Sequence, residues 1–235
     1  MMYLWKPDMI RFMRDASEYG TYNSALTEVM RPYLSESSHI CDAGCGLGYL
    51  SLELAGLCRR VTAVDVNGNA LAVLRENCER RGVRNITPVC ADVFAYVPEE
   101  KYSAMVFCYF GGIDTILERK SDLCTGPLFI FKRNYENHRF SVGKYKAGDD
   151  GFLSTCDALR RRGVPFRAVE LEAEFGQPFR SLADARCFYE LYSCDENREV
   201  LTDGLLRARL VPTGREDFPL YLPHKKKTGC IIVEA

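Results

Sequence analysis

The seven residues Asp42-Ala43-Gly44-Cys45-Gly46-Leu47-Gly48 set an acid and three alternating glycines at a sharp change of pattern. Before them, His39-Ile40-Cys41 has short, apolar strand character. After them, Tyr49-Leu50-Ser51-Leu52-Glu53-Leu54-Ala55 carries apolar residues at helical spacing. The glycines therefore sit in a strand-to-helix turn. Glycine suits such a turn because it reaches positive φ without a Cβ clash and lets a ligand lie against the backbone. The turn reads as the floor of a nucleotide-like cofactor site. A dinucleotide fingerprint spaces its glycines G-x-G-x-x-G and rests a pyrophosphate on the helix N-terminus. Here the third glycine comes one residue early and Asp42 precedes the first. A carboxylate at that point repels a pyrophosphate and suits an ammonium group.

The following residues extend the unit. Arg60-Val61-Thr62-Ala63-Val64-Asp65-Val66-Asn67 reads as a buried parallel strand ending in an acid. A carboxylate at a strand's C-terminal end can accept both hydroxyls of a ribose, which makes Asp65 the expected ribose clamp. The interval from Gly48 to Asp65 leaves room for the helix and turn of a βαβ crossover. A third strand, Ile86 to Val93, ends in Ala91-Asp92-Val93. Both Asp65 and Asp92 also suit a simpler duty, capping the helix that follows each strand.

The run from Asp42 to Gly48 resembles motif I of the class I S-adenosylmethionine-dependent methyltransferases, D/E-x-G-x-G-x-G, at every defining position. The resemblance implies that Asp42 helps hold the methionine part of S-adenosylmethionine, and that Gly44 and Gly46 allow its close approach beside Cys45 and Gly48. It further implies that Asp65 and Val66 meet the ribose, that Asp92 accepts the adenine amino group with the Val93 backbone near the ring, and that Cys108 adjoins the cofactor. The implied fold is α/β and doubly wound. It has a seven-stranded, mostly parallel sheet whose last strand is antiparallel beside the fifth, with helices on both faces.

The rest of the chain supplies strands in that series. Tyr102 to Phe110 is almost continuously apolar, as in a strand buried on both faces, and Gly111-Gly112 ends it before a short helix from Ile113 to Ser121. Leu128 to Arg133 makes a fifth strand, Gly151 to Arg162 a helix, Phe166 to Phe175 an alternating edge strand, and Thr228 to Glu234 the last strand. This gives an N-terminal helical extension over 1–38, a cofactor-binding core over 39–175, an insertion over 176–227 and the final strand over 228–235. The extension includes a helix from Ala25 to Arg31 and the aromatic residues Tyr19 and Tyr22, which with Asn23 are expected to overhang the substrate. The insertion is too long for a simple loop. Ser181-Leu182-Ala183-Asp184 caps one helix through Tyr192, and a second runs from about Glu196 to Arg209. The insertion is expected to be a helical cap over the substrate side, or the contact surface of a homodimer. Lys225-Lys226-Lys227 is read as a solvated turn, with an anion site as the alternative.

Methyl transfer from a sulfonium asks mainly for an aligned acceptor in a dry site, so catalytic residues leave little trace in sequence. The end of the fourth strand reads Cys108-Tyr109-Phe110-Gly111-Gly112 and lacks the [N/D/S]-P-P-[Y/F/W] of amino-directed enzymes. Tyr109 and Phe110 are candidate walls of the acceptor pocket. Asp114, His138 and His224 are candidate general bases. A formal net charge of −1 over 235 residues argues against nucleic acid as partner and favours a small molecule, with an RNA or protein methyltransferase or a non-catalytic cofactor-binding protein as alternatives. Eleven scattered cysteines without a C-x-x-C pair read as core residues, not metal ligands, and suit a reducing cytoplasm. No run of about 18 apolar residues suggests membrane insertion.

Overall fold

The computed structural model describes residues 5–135, 150–192 and 201–234. Its centre is a seven-stranded sheet of β1 (His39–Ala43), β2 (Arg60–Asp65), β3 (Ile86–Cys90), β4 (Ala104–Cys108), β5 (Leu128–Arg133), β6 (Arg167–Glu174) and a C-terminal strand, Lys225–Val233, numbered β10 below. The order across the sheet is β3-β2-β1-β4-β5-β10-β6. The pairs linking β3, β2, β1, β4 and β5 are parallel, whereas β10 runs antiparallel to both of its neighbours, β5 and β6. This is the doubly wound, seven-stranded arrangement expected from the order of apolar segments.

Period-two alternation divides the central strands between two faces. Ile40, Val106, Phe129, Phe131, Cys230 and Ile232 pack with Leu26 and Met30 of α2 (Tyr22–Met30) and with Leu50 and Leu54 of α3 (Tyr49–Leu54). Their neighbours Cys41, Met105, Phe107, Ile130 and Ile231 pack with Ile116 and Leu123 of α5 (Ile113–Leu123) and with Phe152 and Leu159 of α6 (Phe152–Arg161). Between them in sequence, α4 (Gly68–Arg81) sets Leu71 and Leu74 against Ala63 of β2. Each such fully buried side chain contributes about 1.5–3 kcal/mol of transfer free energy. The strands therefore have fixed faces, and their C-terminal ends share one edge.

Two boundaries differ from expectation in ways that matter for function. The third strand stops at Cys90, so Asp92 lies in the turn beyond it, and β10 begins at Lys225, before Thr228. Because β10 is antiparallel, its first residues lie at the edge where the parallel strands end.

The 176–227 segment is not purely helical. It holds α7 (Leu182–Tyr192) and α8 (Asp203–Arg209), and also an antiparallel sheet in the order β7-β9-β8, made of β7 (Gln177–Phe179), β8 (Val211–Pro212) and β9 (Leu220–Leu222). Strands of two or three residues containing Pro178 and Pro212 are too short to show an alternating pattern. The second helix begins at Asp203, where the Thr202 hydroxyl accepts the Leu205 amide at 3.2 Å; residues 193–200 lie outside the described part of the chain. The segment builds a second core with α1 (Pro7–Tyr19). Phe12 meets Phe188 and Phe179 edge-on, and Arg180 grips the buried Asp15 carboxylate through two bonds of 2.5 and 3.0 Å. Among the described residues no helix is long and apolar enough to cross a membrane.

Candidate functional site

The strand β1 is fully buried and delivers Asp42 to the turn, after which Gly44, Gly46 and Gly48 adopt φ of +69°, +54° and +75°. These values lie in the left-handed region, where a side chain is strained. The amides of Gly44 and Cys45 donate to the Val64 carbonyl at 2.8 and 3.1 Å, which ties the turn to β2. Space as well as φ demands glycine: a Cβ on Gly48 would fall inside Leu74, and one on Gly44 would sit 2.5 Å from Cγ of Phe110. The room beside Gly44 on its Cβ side is thus taken by Phe110, while Gly44 itself lines the cavity described below. Beside Gly46 the nearest atom to such a Cβ is Cζ2 of Trp5, at an ordinary 3.5 Å.

Asp65 braces this turn while facing the cavity. Its Oδ2 accepts the Gly46 amide and its Oδ1 the Asn67 amide, each at 2.8 Å. Each oxygen keeps a further lone pair for a hydroxyl. Asp42 is almost wholly buried and accepts the Ser51 hydroxyl at 2.5 Å. Burial pushes its carboxyl up to about 6; the charge of Asp65 adds to the shift and the Ser51 hydrogen bond opposes it. Asp92 is exposed and its Oδ1 accepts the Phe94 amide at 3.0 Å, so it shapes the turn after β3 as well as lining the cavity.

These groups form one end of a cavity of about 470 Å³ along the strand C-termini. Its polar side chains at this end are carboxylates, acceptors aimed at a ligand rich in hydroxyl and ammonium donors and hostile to a pyrophosphate. That donor set fits S-adenosylmethionine. All ten positions expected to touch the cofactor, Asp42, Gly44, Cys45, Gly46, Gly48, Asp65, Val66, Asp92, Val93 and Cys108, line this one cavity.

The other end is built from side chains on distant elements. The hydroxyls of Tyr22, Tyr109 and Thr228 close a triangle, with Tyr22 to Tyr109 at 2.5 Å, Tyr22 to Thr228 at 2.8 Å and Tyr109 to Thr228 at 2.7 Å. Burial raises the pKa of both phenols, so they remain protonated at neutral pH. Tyr109 has a φ of +57°, a strained conformation for an aromatic residue. Neighbouring bonds hold it there: its amide donates to the Phe131 carbonyl at 2.9 Å. The buried Lys132 ammonium donates to the Gly111 carbonyl at 2.9 Å and pairs with Asp150 at 2.8 Å.

Lys226 is the main residue that sequence reasoning missed here. Strand alternation from Lys225 to Thr228 turns Lys226 and Thr228 inward and leaves Lys225 and Lys227 exposed. The Lys226 ammonium lies 3.9 Å from the ring centroid of Tyr109, 4.8 Å from that of Tyr22 and 5.1 Å from that of Phe175. Nearby, burial pushes the Cys108 thiol up to about 12, with the charge of Lys226 pulling the other way. The lysine run is therefore not a solvated turn but the start of β10, and three identical residues carried no alternation that would have shown it.

Other expected site residues fall elsewhere. Tyr22, Asn23, Tyr109 and Phe110 line the cavity, but Tyr19 stacks on Tyr221 at 4.9 Å and joins α1 to the insertion. Asp114 opens α5 as an exposed partner of Arg162 and does not reach the cavity. His224 precedes β10, has its amide on Glu174 at 3.1 Å and also lies off the cavity. His138 lies outside the described residues. No described residue from 176 to 224 lines the cavity. The expected cap is instead a support for α1, whose Met13 and Ser17 do line it.

Comparison with known proteins agrees with this geometry. Residues 40–122, from β1 into α5, match a family model described as a methyltransferase domain. The matched stretch contains the glycine turn, Asp65 and Asp92, so the similarity falls on the carboxylate-lined end of the cavity. Among solved structures, precorrin 8W decarboxylase from Methanobacterium thermoautotrophicum is similar in fold, with a TM-score of 0.54 at 18% identity over 90% of each chain. A segment of 42 residues is 48% identical to a probable cobalt-precorrin-6B C(15)-methyltransferase (decarboxylating) of Methanothermobacter thermautotrophicus, over 18% of this chain and 22% of that protein. A longer segment of 144 residues is 26% identical to magnesium-protoporphyrin O-methyltransferase of Synechocystis sp., over 48% of this chain and 62% of that protein. The chain thus spans less than two thirds of either curated relative.

Proposed function

We propose that this chain transfers the methyl group of S-adenosylmethionine to a small-molecule acceptor. The observation that carries the reading is the single cavity that joins the carboxylate-lined glycine turn to an aromatic, hydroxyl-bearing end. The names of both curated relatives, which specify cobalt-precorrin-6B and magnesium-protoporphyrin, support a small molecule over a macromolecule. In this reading Asp65 holds the ribose hydroxyls, Asp42 faces the ammonium of the methionine part, and Asp92 takes the adenine amino group. When bound, S-adenosylmethionine would supply an activated methyl group, its carbon–sulfur bonding pair returning to sulfur as an acceptor lone pair forms the new bond.

The chain's own part is alignment and exclusion of water. Tyr22, Tyr109 and Phe110 wall the acceptor, and the phenols, protonated at neutral pH, act as hydrogen-bond donors, not bases. Catalysis by positioning needs no buried histidine, and an acceptor already in its nucleophilic form suits such a site. Isothermal titration with S-adenosylhomocysteine tests the reading. Wild-type protein is expected to bind, and Asp65→Ala to lose at least about a hundredfold in affinity, because a charged acceptor of two hydroxyls disappears and the Gly46 amide loses its brace. Absence of binding by the wild type would overturn the proposal.

A further inference from the structure

The amino-acid part of S-adenosylmethionine carries two opposite charges on one carbon. Asp42 suits the α-ammonium, but Asp42, Asp65 and Asp92, the acids lining the glycine-turn end, all repel the α-carboxylate. That group needs hydrogen-bond donors within reach of Asp42. Asp42 is bonded to Ser51 in the first turn of α3, and the adjacent Leu50 belongs to the apolar cluster that holds Ala16 of α1 and Tyr22 of α2. Met13 of α1 packs against the cluster of Leu47 and Tyr49. The residues directly after Ala16 and Tyr22 are Ser17 and Asn23, and both line the cavity.

These two side chains differ from their polar neighbours. A hydroxyl inside a helix can donate to a backbone carbonyl three or four residues back. Ser24 and Thr27 of α2 do so, to the Thr21 and Ser24 carbonyls, each at 2.8 Å. Ser17 does not: its Oγ is shielded from solvent and has no hydrogen-bond partner. Asn23 is half-buried, and among the described residues its side-chain amide has no partner either. Leaving such groups unpaired costs free energy that a bond to a ligand recovers. Rotation about χ1 turns the Ser17 hydroxyl toward the cavity. The helix that carries it is held by the 176–227 segment: besides the Arg180–Asp15 pair, Arg11 meets Asp184 at 2.8 Å and the Gln177 amide donates to the Phe12 carbonyl at 3.1 Å.

We propose that Ser17 and Asn23 form a carboxylate subsite, the Ser17 hydroxyl and the Asn23 amide donating to the α-carboxylate of S-adenosylmethionine while Asp42 faces its ammonium. Being neutral, the two donors bind the carboxylate without a cation that would compete with the ligand for Asp42. The 176–227 segment then contributes to cofactor binding without touching the cavity, through the helix it fixes.

The inference rests on the methyltransferase reading for the identity of the ligand. Calorimetric titration at pH 7 with S-adenosylhomocysteine and with decarboxylated S-adenosylhomocysteine, which keeps the ammonium and lacks only the carboxylate, tests it. Wild-type protein is expected to bind the intact compound at least about tenfold more tightly. The double variant Ser17→Ala/Asn23→Ala is expected to bring the two affinities within about twofold of each other while keeping the wild-type affinity for the decarboxylated compound, which a misfolded variant would lose. A crystal of the wild-type protein with S-adenosylhomocysteine should place the carboxylate within hydrogen-bond distance of Ser17 Oγ and Asn23 Nδ2. Equal affinities in the wild type, a preference that survives the double substitution, or a carboxylate seated against Lys226 or in open solvent would each overturn the subsite and leave the methyltransferase reading standing. Binding of neither compound by the wild type would overturn both.

Discussion

The two ends of the cavity are made by different means. The glycine-turn end is main chain and short-range: three left-handed glycines, two amides held by Asp65, and Asp42 buried under α3, all between β1 and the turn after β3. The aromatic end is side chain and long-range, with Tyr22 meeting Thr228 across a separation of 206 residues and Tyr109 meeting it across 119. The first end cannot change without disturbing the backbone, whereas the second can change residue by residue on an unaltered frame. In the proposed reading, cofactor and acceptor recognition are thereby separable, one rigid and one open to variation.

The strongest way to break that comparison is Gly48→Ala. The new methyl group meets Leu74 at a residue already at positive φ, so strain and overpacking together are expected to cost about 2–4 kcal/mol in urea unfolding and to remove S-adenosylhomocysteine binding. Wild-type stability and affinity in this variant would show that the turn is not rigid.

Acidity sharpens the contrast next. The Asp42 carboxyl is raised from its ordinary value of 3.8 to about 6 by burial, so the folded state holds its proton longer than the unfolded chain. Its contribution to stability is therefore present in full below about pH 4 and is lost as pH rises through about 6, by at most about 3 kcal/mol. Binding of an ammonium-bearing ligand runs the opposite way and tightens as the carboxylate forms. Asp42→Asn is expected to flatten both profiles, followed by urea titration and calorimetry at pH 5 and pH 7; an unchanged slope in the variant would rule out Asp42 as its source.

The smallest effect belongs to the aromatic end. Tyr22→Phe removes two sides of the hydroxyl triangle and leaves Tyr109 bonded to Thr228, which should lower stability by about 1 kcal/mol and leave S-adenosylhomocysteine affinity within about twofold. A large loss of affinity would mean that the two ends are coupled.

Much of the sheet and the glycine-turn end was legible in the sequence for the same reason that they are rigid. Periodic apolar runs such as Leu128 to Arg133 and the acid at the end of β2 are local signals, and the residues that carry them contact their neighbours in the chain or the next strand. Lys226 was not legible, because three consecutive lysines look solvated until the strand is seen to begin at Lys225 and to bury every second one. Asp114 and His224 have the chemistry of bases and were placed near strand ends, but Arg162 and Glu174 engage them outside the cavity. The role of the insertion was hidden by partner choice, since nothing in Phe179 or Phe188 announces that Phe12 will sit against them.

The late arrival of β10 has a consequence for how the molecule is born. A nascent chain leaving the ribosome can pair β1 to β5 and close the glycine turn while β5 remains an open edge, and β6 has no hydrogen-bonded place in the sheet until β10 enters between them. The same strand that seals this edge carries in Lys226 and Thr228. A chain in which β10 has not yet paired therefore holds only part of the cavity wall, and the aromatic end is completed as that strand enters between β5 and β6.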